Sequence, residues 1–271
     1  MRAAVVVVVL LVLAACGSPA ERSLILATTT STQDSGLLDD LLPAFTAATG
    51  WAVKPVAVGS GQAIEMGRRG EADVLLVHSP AAEEDYVAEG TAGRRLLVMH
   101  NDFVLLGPAT DPAGVRGAAV DEAMRRIAAA GAVFVSRGDE SGTHARERSL
   151  WEEAGVAPAA PWYQETGQGM GATLRVAAEK GGYTLADRGT HLTQPGGLAL
   201  LVEGDPGLLN VYHVIEVTKR AGERVQPEAA AAFADWITGP DAQRRIGEFG
   251  REEYGQPLFV PDAGRQDPTG P

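Results

Sequence analysis

Three short segments hold the polar chemistry that stands out in this chain. They are Thr28-Thr29-Thr30-Ser31-Thr32, Gly59-Ser60-Gly61-Gln62, and Ser136-Arg137-Gly138-Asp139-Glu140-Ser141-Gly142-Thr143-His144. Each follows an apolar run of strand length and opens a segment with helical periodicity, which predicts a strand-to-helix turn. At a helix N-terminus the first backbone N–H groups lack intrahelical acceptors, and the macrodipole leaves partial positive charge there. Small residues let an anion approach those groups, and hydroxyls add donors. A single turn of this kind is ordinary capping, because Ser and Thr cap helices everywhere. Three at the ends of successive strands predict one polar cleft suited to an anion. The third turn also carries Arg137, and a guanidinium is the preferred partner of an oxyanion.

Other chemistries find less support. Ser141 lies within Gly-Asp-Glu-Ser-Gly with His144 close by, which is the neighbourhood of a serine nucleophile. A base three residues further along a new helix rarely faces the hydroxyl, and no separate acid–base pair is evident. A serine hydrolase is therefore the distant alternative, and the chain is not expected to be an enzyme. His78, His100, His144, His191 and His213 lack metal-ligand spacing and are expected at the surface or in packing. No metal or cofactor is expected.

The elements that must position these turns alternate as in an α/β fold. Strands are predicted at Leu24 to Ala27, Val53 to Val58, Ala72 to Val77, Leu96 to Met99 and Phe103 to Gly107. Leu37 to Phe45 has helical spacing that Pro43 should bend or end. Ser60 is placed to cap a helix running to Arg69, and Ser79-Pro80 to start another. A second set follows, with helices at Val120 to Ala130, Thr143 to Ala154 and Gly171 to Glu179, and strands at Val133 to Ser136 and Tyr183 to Leu185. Val211 to Val217 then returns as a strand, before helices at Glu228 to Thr238 and Asp241 to Phe249. This layout predicts a first lobe over residues 24–105, a second over 106–208, and a return to the first over 209–261. Residues 262–271, rich in Pro, Gly and Asp, are expected to be disordered.

The N-terminal residues set the expected compartment. Arg2 precedes an apolar run, Ala3 to Leu13, that is too short to span a bilayer. It ends in Leu13-Ala14-Ala15-Cys16, which resembles the bacterial lipobox, so residues 1–16 are expected to be a signal segment with Cys16 as the site of lipid attachment. Cys16 is the only cysteine, so no intrachain disulfide can form. The net charge of −12 leaves no basic stripe to neutralise phosphates, which excludes a nucleic-acid partner. That acidity does not exclude an anion ligand, because surface charge is screened over about 8 Å.

A specific resemblance joins these segments. Thr28 to Gly36, Val58 to Ala63, Ala72 to Ser79, Asn101 to Gly107, Phe134 to His144, Trp162 to Gly171 and Tyr183 to Thr190 stand in the order found in tungstate-binding proteins of ABC importers. The similarity runs from about Leu24 to Pro261. It implies a two-lobed α/β fold of the periplasmic-binding-protein type II class, with the ligand cleft between the lobes. It also implies Thr28, Thr29, Ser60, Arg137 and Thr143 as contacts, with Gly61, Ser141 and Gly142 of the same turns completing the candidate oxyanion site. Asp187 to Thr190 is a further candidate wall. His191 stands where the family pattern suggests a tyrosine. The implied partners are tungstate or a related oxyanion and an ABC permease, for a monomer held outside the cytoplasm on the cell membrane by its lipid.

The nearest rival is a phosphate-binding protein of the same superfamily, since Arg137, Asp139 and Ser141 to Thr143 also resemble its binding turn. Phosphate near neutral pH carries a proton that needs an acceptor, whereas tungstate is a bare dianion that wants donors. Asp139 should therefore turn away from tungstate, towards Arg137 or the turn backbone. Tungstate and molybdate share charge and shape and are not separated by sequence. The lipobox has its own test: Cys16→Ala should abolish acylation and release the protein into the soluble fraction, and retention on membranes after a high-salt wash would refute the assignment.

Overall fold

Strands buried on both faces organise the first lobe. The computed structural model describes residues 22–194 and 196–268, so the apolar leader and Cys16 lie outside the described residues. β1 (Ser23–Thr29) leads into α1 (Thr30–Asp34) and α2 (Leu37–Thr49), β2 (Ala52–Val58) into α3 (Ser60–Arg68), and β3 (Val74–Val77) into α4 (Pro80–Ala88). β1 pairs in parallel with both β2 and β3. The side chains alternate with period two. Val74 and Leu76 join α2 in one core, while Leu75 and Val77 pack with Ala63, Ile64 and Tyr86 of α3 and α4 in another. Helices thus cover both faces, and β3 is apolar throughout for that reason. Of the two effects expected of Pro43, an early end to α2 does not occur. Burial of Leu37, Leu38, Leu41 and Phe45 outweighs the roughly 3 kcal/mol that an internal proline costs.

β4 (Ala92–Gly107) is one continuous strand where two were predicted. After it come α5 (Val120–Ala130), β5 (Phe134–Ser136), α6 (Gly142–Glu153), β6 (Tyr163–Glu165), α7 (Met170–Lys180), β7 (Thr184–Asp187), α8 (Arg188–Thr193) and β8 (Ala199–Val202). β9 (Leu209–Val217), α9 (Pro227–Ile237), α10 (Pro240–Glu248), α11 (Arg251–Tyr254) and β10 (Val260–Pro261) complete the order. The first part of β4 pairs with β9, as far as Asp102 opposite Leu209. From Phe103 onward it pairs with β7 and then β8. β5 and β6 are parallel, and β5 joins the second sheet through a bridge between Phe134 and Tyr183. β4 and the start of β9 are therefore the two crossings between lobes. Polar Asn101 and Asp102 break the apolar pattern there but not the strand. Asn101 accepts a hydrogen bond from Asn210 at 2.7 Å, and Asp102 pairs with Arg188 at 2.6 Å. β6, β8 and α8 were not predicted, being too short to show a period.

The C-terminal segment departs most from expectation. Through Pro268 it is packed on the first lobe rather than disordered. Asp262 donates its N–H to Val98 O at 3.0 Å and pairs its carboxylate with His100. Asp267 accepts from Arg95 at 2.9 Å and lies 2.9 Å from His213 Nε2. Arg95 and His213 also meet Glu83, at 3.0 and 2.8 Å, where both Glu83 and His213 are wholly buried. Composition favours disorder here, but a buried charge cluster overrides it. Glu83 also caps α4, accepting the Ser79 N–H at 2.7 Å. Glu83→Ala should lower stability by about 1–3 kcal/mol, because it removes the buried acceptor of the Ser79 N–H and one of the two carboxylates that meet Arg95 and His213. A urea midpoint unchanged from wild type would show that the cluster contributes nothing.

Candidate functional site

All three polar turns lie at the carboxyl ends of parallel strands, the usual place for ligands in α/β folds. On the first lobe, Thr29 is the N-cap of α1 and accepts the Thr32 N–H at 3.2 Å. Its hydroxyl also lies 2.7 Å from Thr32 Oγ1 and 3.1 Å from Ser31 Oγ. Thr28 is occupied elsewhere. It is fully buried and donates to Leu76 O at 2.8 Å, tying β1 to β3 rather than facing the cleft. Gly59, not Ser60, is the N-cap of α3, and it supplies no side chain. Ser60 is the first helical residue, and its buried hydroxyl has no partner among the described residues. Neighbouring Gly61 brings the first-turn backbone of α3 to the same surface, facing the carbonyl of Glu140.

The third turn comes from the second lobe. Arg137 is 2 % exposed. Its Nε and Nη2 donate to Asp139 Oδ2 at 3.1 and 2.5 Å, Nη1 to Thr143 Oγ1 at 3.4 Å, and Nη2 to Thr30 Oγ1 at 3.2 Å. Thr30 belongs to the first lobe, so the guanidinium bridges the cleft. The other oxygen of Asp139 accepts the Ser141 N–H at 3.2 Å, so the carboxylate is held by Arg137 and the turn backbone. Ser141 caps α6 by accepting the His144 N–H at 3.3 Å. Gly138 sits at φ +60°, and a Cβ there would fall 2.7 Å from Glu165 Cβ. Gly142 is required by proximity instead: its Cβ would lie 2.6 Å from the ring of His78.

His78 was expected to be a packing or surface residue; it is a buried packing residue that also touches the site. It follows β3 directly and is buried against the site. Its Nε2 lies 3.2 Å from Thr29 Oγ1 and 3.3 Å from Ser31 Oγ, while Nδ1 has no partner among the described residues. Tyr212 packs against the ring in a tilted arrangement, with centroids 4.6 Å apart. Burial, with Arg137 repulsion second, pushes its pKa down to about 4, so the ring is neutral at pH 7. The signal that could have located His78 is register: Thr28 pairs with Leu76, so the residue after Val77 reaches the level of Thr29 and Thr30.

The fourth candidate wall contributes through Asp187, which caps α8 by accepting from Thr190 N and Oγ1 at 2.8 and 2.7 Å. Burial raises its pKa, opposed mainly by those Thr190 bonds and, less, by Arg137. Arg188 turns outward to Asp102 and Glu203, at 2.6 and 2.7 Å. His191 is half-buried on the same helix, with Nδ1 unpartnered among the described residues. Ser141 and His144 do not form a nucleophile–base pair, because His144 Nδ1 accepts the Glu140 N–H at 3.1 Å. Among the described residues, no group of three or more His, Cys, Asp or Glu is placed to hold a metal ion, and no helix is long and apolar enough to cross a membrane. The arrangement can bind an anion through helix N-termini, hydroxyls and one guanidinium.

Comparison with known proteins agrees with this geometry. The profile of a family described as a PBP superfamily domain matches residues 14–241. The chain is 51 % identical to the tungstate-binding protein TupA of Peptoclostridium acidaminophilum over 251 residues, covering 91 % of this chain and 88 % of that protein. Its structure resembles that of the tungstate-binding protein TupA of Desulfovibrio alaskensis, with TM-score 0.75, 48 % identity, and 89 % and 99 % of the two chains covered. It is similar as well to the structure of a tungstate ABC transporter protein of Geobacter sulfurreducens, with TM-score 0.77, 43 % identity, and 85 % and 100 % covered.

The neutral His78 gives a pH signature. Its folded pKa lies below the unfolded value, so the unfolded chain binds the extra proton, and stability is lost as pH falls from about 6.5 towards about 4. Ligand-free His78→Gln should show a shallower loss of melting temperature over that window than wild type. Parallel curves would assign the acid limb to other groups.

Proposed function

Because the chain belongs to the PBP superfamily and, within it, to the tungstate-binding proteins of ABC importers, we propose that it captures tungstate outside the cytoplasm and delivers it to a membrane permease. One observation carries the reading at the level of chemistry: Arg137, buried between the lobes, joins the Thr143 hydroxyl of one lobe to the Thr30 hydroxyl of the other. A dehydrated dianion needs many donors, because an unpaired buried charge is very costly. The first turns of α3 and α6 offer backbone N–H groups, and Ser60 and Thr143 offer hydroxyls. We assign the contacts to Thr29, Ser60, Gly61, Arg137, Gly142 and Thr143, with Ser141 as a cap and Thr28 as a support beneath them.

Asp139 favours tungstate over hydrogen phosphate. Both of its oxygens already accept hydrogen bonds within its own turn. It is thus poorly placed to take the proton of a phosphate, and its charge is offset by Arg137. Molybdate shares the donor requirement and is the natural competitor. We further propose a monomer that needs no cofactor or metal and is held at the membrane through lipid on Cys16.

Charge-assisted hydrogen bonds contribute roughly 1.5–3 kcal/mol each. Arg137→Ala should therefore weaken tungstate binding at least about tenfold, and Arg137→Lys should restore part of it, since an ammonium lacks the planar fork. Arg188→Ala should bind as wild type, because Arg188 faces Asp102 and Glu203. Calorimetric titration with tungstate, molybdate, phosphate and sulfate, with melting curves to confirm folding, tests this. Normal binding by Arg137→Ala, or stronger binding of phosphate than tungstate, would overturn it.

A further inference from the structure

Glu147 is a buried acid that the oxyanion site does not itself account for. It is 2 % exposed and lies one helical turn beyond Thr143 on α6. Its Oε1 accepts from Trp151 Nε1 at 3.1 Å and from the Tyr163 hydroxyl at 2.8 Å. No cation pairs with it among the ion pairs of the described residues. A buried carboxylate with only neutral partners is expensive and calls for a role.

The connection to Arg137 runs through β6: Tyr163 on that strand donates to Glu147, and just beyond its end the Thr166 and Gly167 N–H groups donate to Ser136 O and Arg137 O at 3.0 and 2.8 Å. Ser136 Oγ accepts the Gly138 N–H at 3.2 Å, and Glu140, which is not a glycine, holds a positive φ of 57°. Such a backbone keeps its shape only when its surroundings over-determine it. Glu147 ties α6 to β6 through Tyr163, and the Trp151 N–H holds its carboxyl in place on α6. We propose, on the reading that this cleft holds tungstate, that Glu147 is a positioning residue for the Arg137 turn and takes up a proton when the dianion binds.

A carboxylate buried one helical turn from Thr143 and a dianion held at that helix's N-terminus disfavour each other, and by linkage the ligand must favour the protonated form. Protonation leaves the support intact. The acid still accepts from Trp151 and Tyr163. Burial already raises the Glu147 pKa to about 7, so the switch lies within reach at neutral pH. The charged and titratable groups on the elements packed around it are Glu165 and Tyr163 on β6, Arg137 and Asp139 in the turn after β5, Asp187 on β7, and His144 and Arg148 on α6. The facing side of α5 is apolar, with Val120, Ala123, Met124 and Ile127. Glu165 adds to the upward shift.

The test is calorimetric titration of the mature chain with sodium tungstate, in buffers of different ionisation enthalpy, from about pH 6 to about pH 8.5. Wild type should take up part of a proton near pH 7 and lose affinity as pH rises. Glu147→Gln, which mimics the neutral acid, should bind within about threefold of wild type at pH 6, with no uptake and a flat profile. Glu147→Ala should bind at least about tenfold more weakly at every pH. Without ligand, Glu147→Gln should melt with wild type near pH 5 and above it at pH 8.5, because a raised carboxyl pKa costs stability as pH rises from about 4.5 through about 7. Equal proton uptake by wild type and Glu147→Gln, or an affinity loss in Glu147→Gln as large as in Glu147→Ala, would overturn the proposal. Failure of wild type to bind tungstate would sink the oxyanion reading as well, whereas normal binding without proton uptake sinks this proposal alone.

Discussion

A guanidinium shut away from water must be compensated where it stands, and Arg137 is compensated from both lobes. Asp139 supplies the opposite charge, Thr143 an acceptor from the same turn, and Thr30 an acceptor from across the cleft. The rest of the site follows from that requirement. Asp139 can reach Nε and Nη2 only because the chain doubles back through a left-handed Gly138. The same fold-back brings the N-terminus of α6 against the first lobe, with Gly142 against His78 and Gly59 near the Glu140 carbonyl. The glycines at these points are consequences of close approach.

The charge balance of the cleft is unusual for an anion site in an acidic protein. Arg137 brings a full positive charge, but Asp139 offsets it, and His78 is held neutral by burial and by Arg137 itself. Asp187, on the same side of the second lobe, is also pushed towards its neutral form. A dianion entering this space meets dipoles more than net charge. That favours a ligand whose charge is spread over several oxygens, each able to accept from a backbone or hydroxyl donor. It also places protonation equilibria close to the binding step.

The two crossings tie this chemistry to the fold. β4 changes partner between Asp102 and Phe103, and β9 begins opposite the same point. The junction is held by side chains rather than by extra strands: Arg188 joins Asp102 to Glu203, and Asn210 joins Asn101 to Tyr212. Bonds of this kind can rearrange without unfolding either sheet, whereas the apolar cores on each side cannot. The lobes are therefore joined at a polar seam.

Much of this was legible in the residues. Parallel strands buried on both faces declare themselves as apolar runs, and the helices after them have enough turns to show their period. That is why β1 to β3, α5 and α6 and the three polar turns could be read directly, and why Arg137 stood out as the guanidinium among them. What was illegible depended on contacts between distant positions. Thr28 and Thr29 are adjacent and alike in type, yet strand alternation sends one to Leu76 O and leaves the other at the cleft. His78 carries no local pattern and matters only because β3 lies beside β1. The tail has the composition of a disordered segment, but Asp262 and Asp267 meet His100, Arg95 and His213, far away in sequence. Local composition and periodicity determine which elements form and which turns can bind an anion. Only the tertiary structure decides which side chains are free to do so, because a hydrogen-bonding group is available or occupied according to what lies opposite it in space.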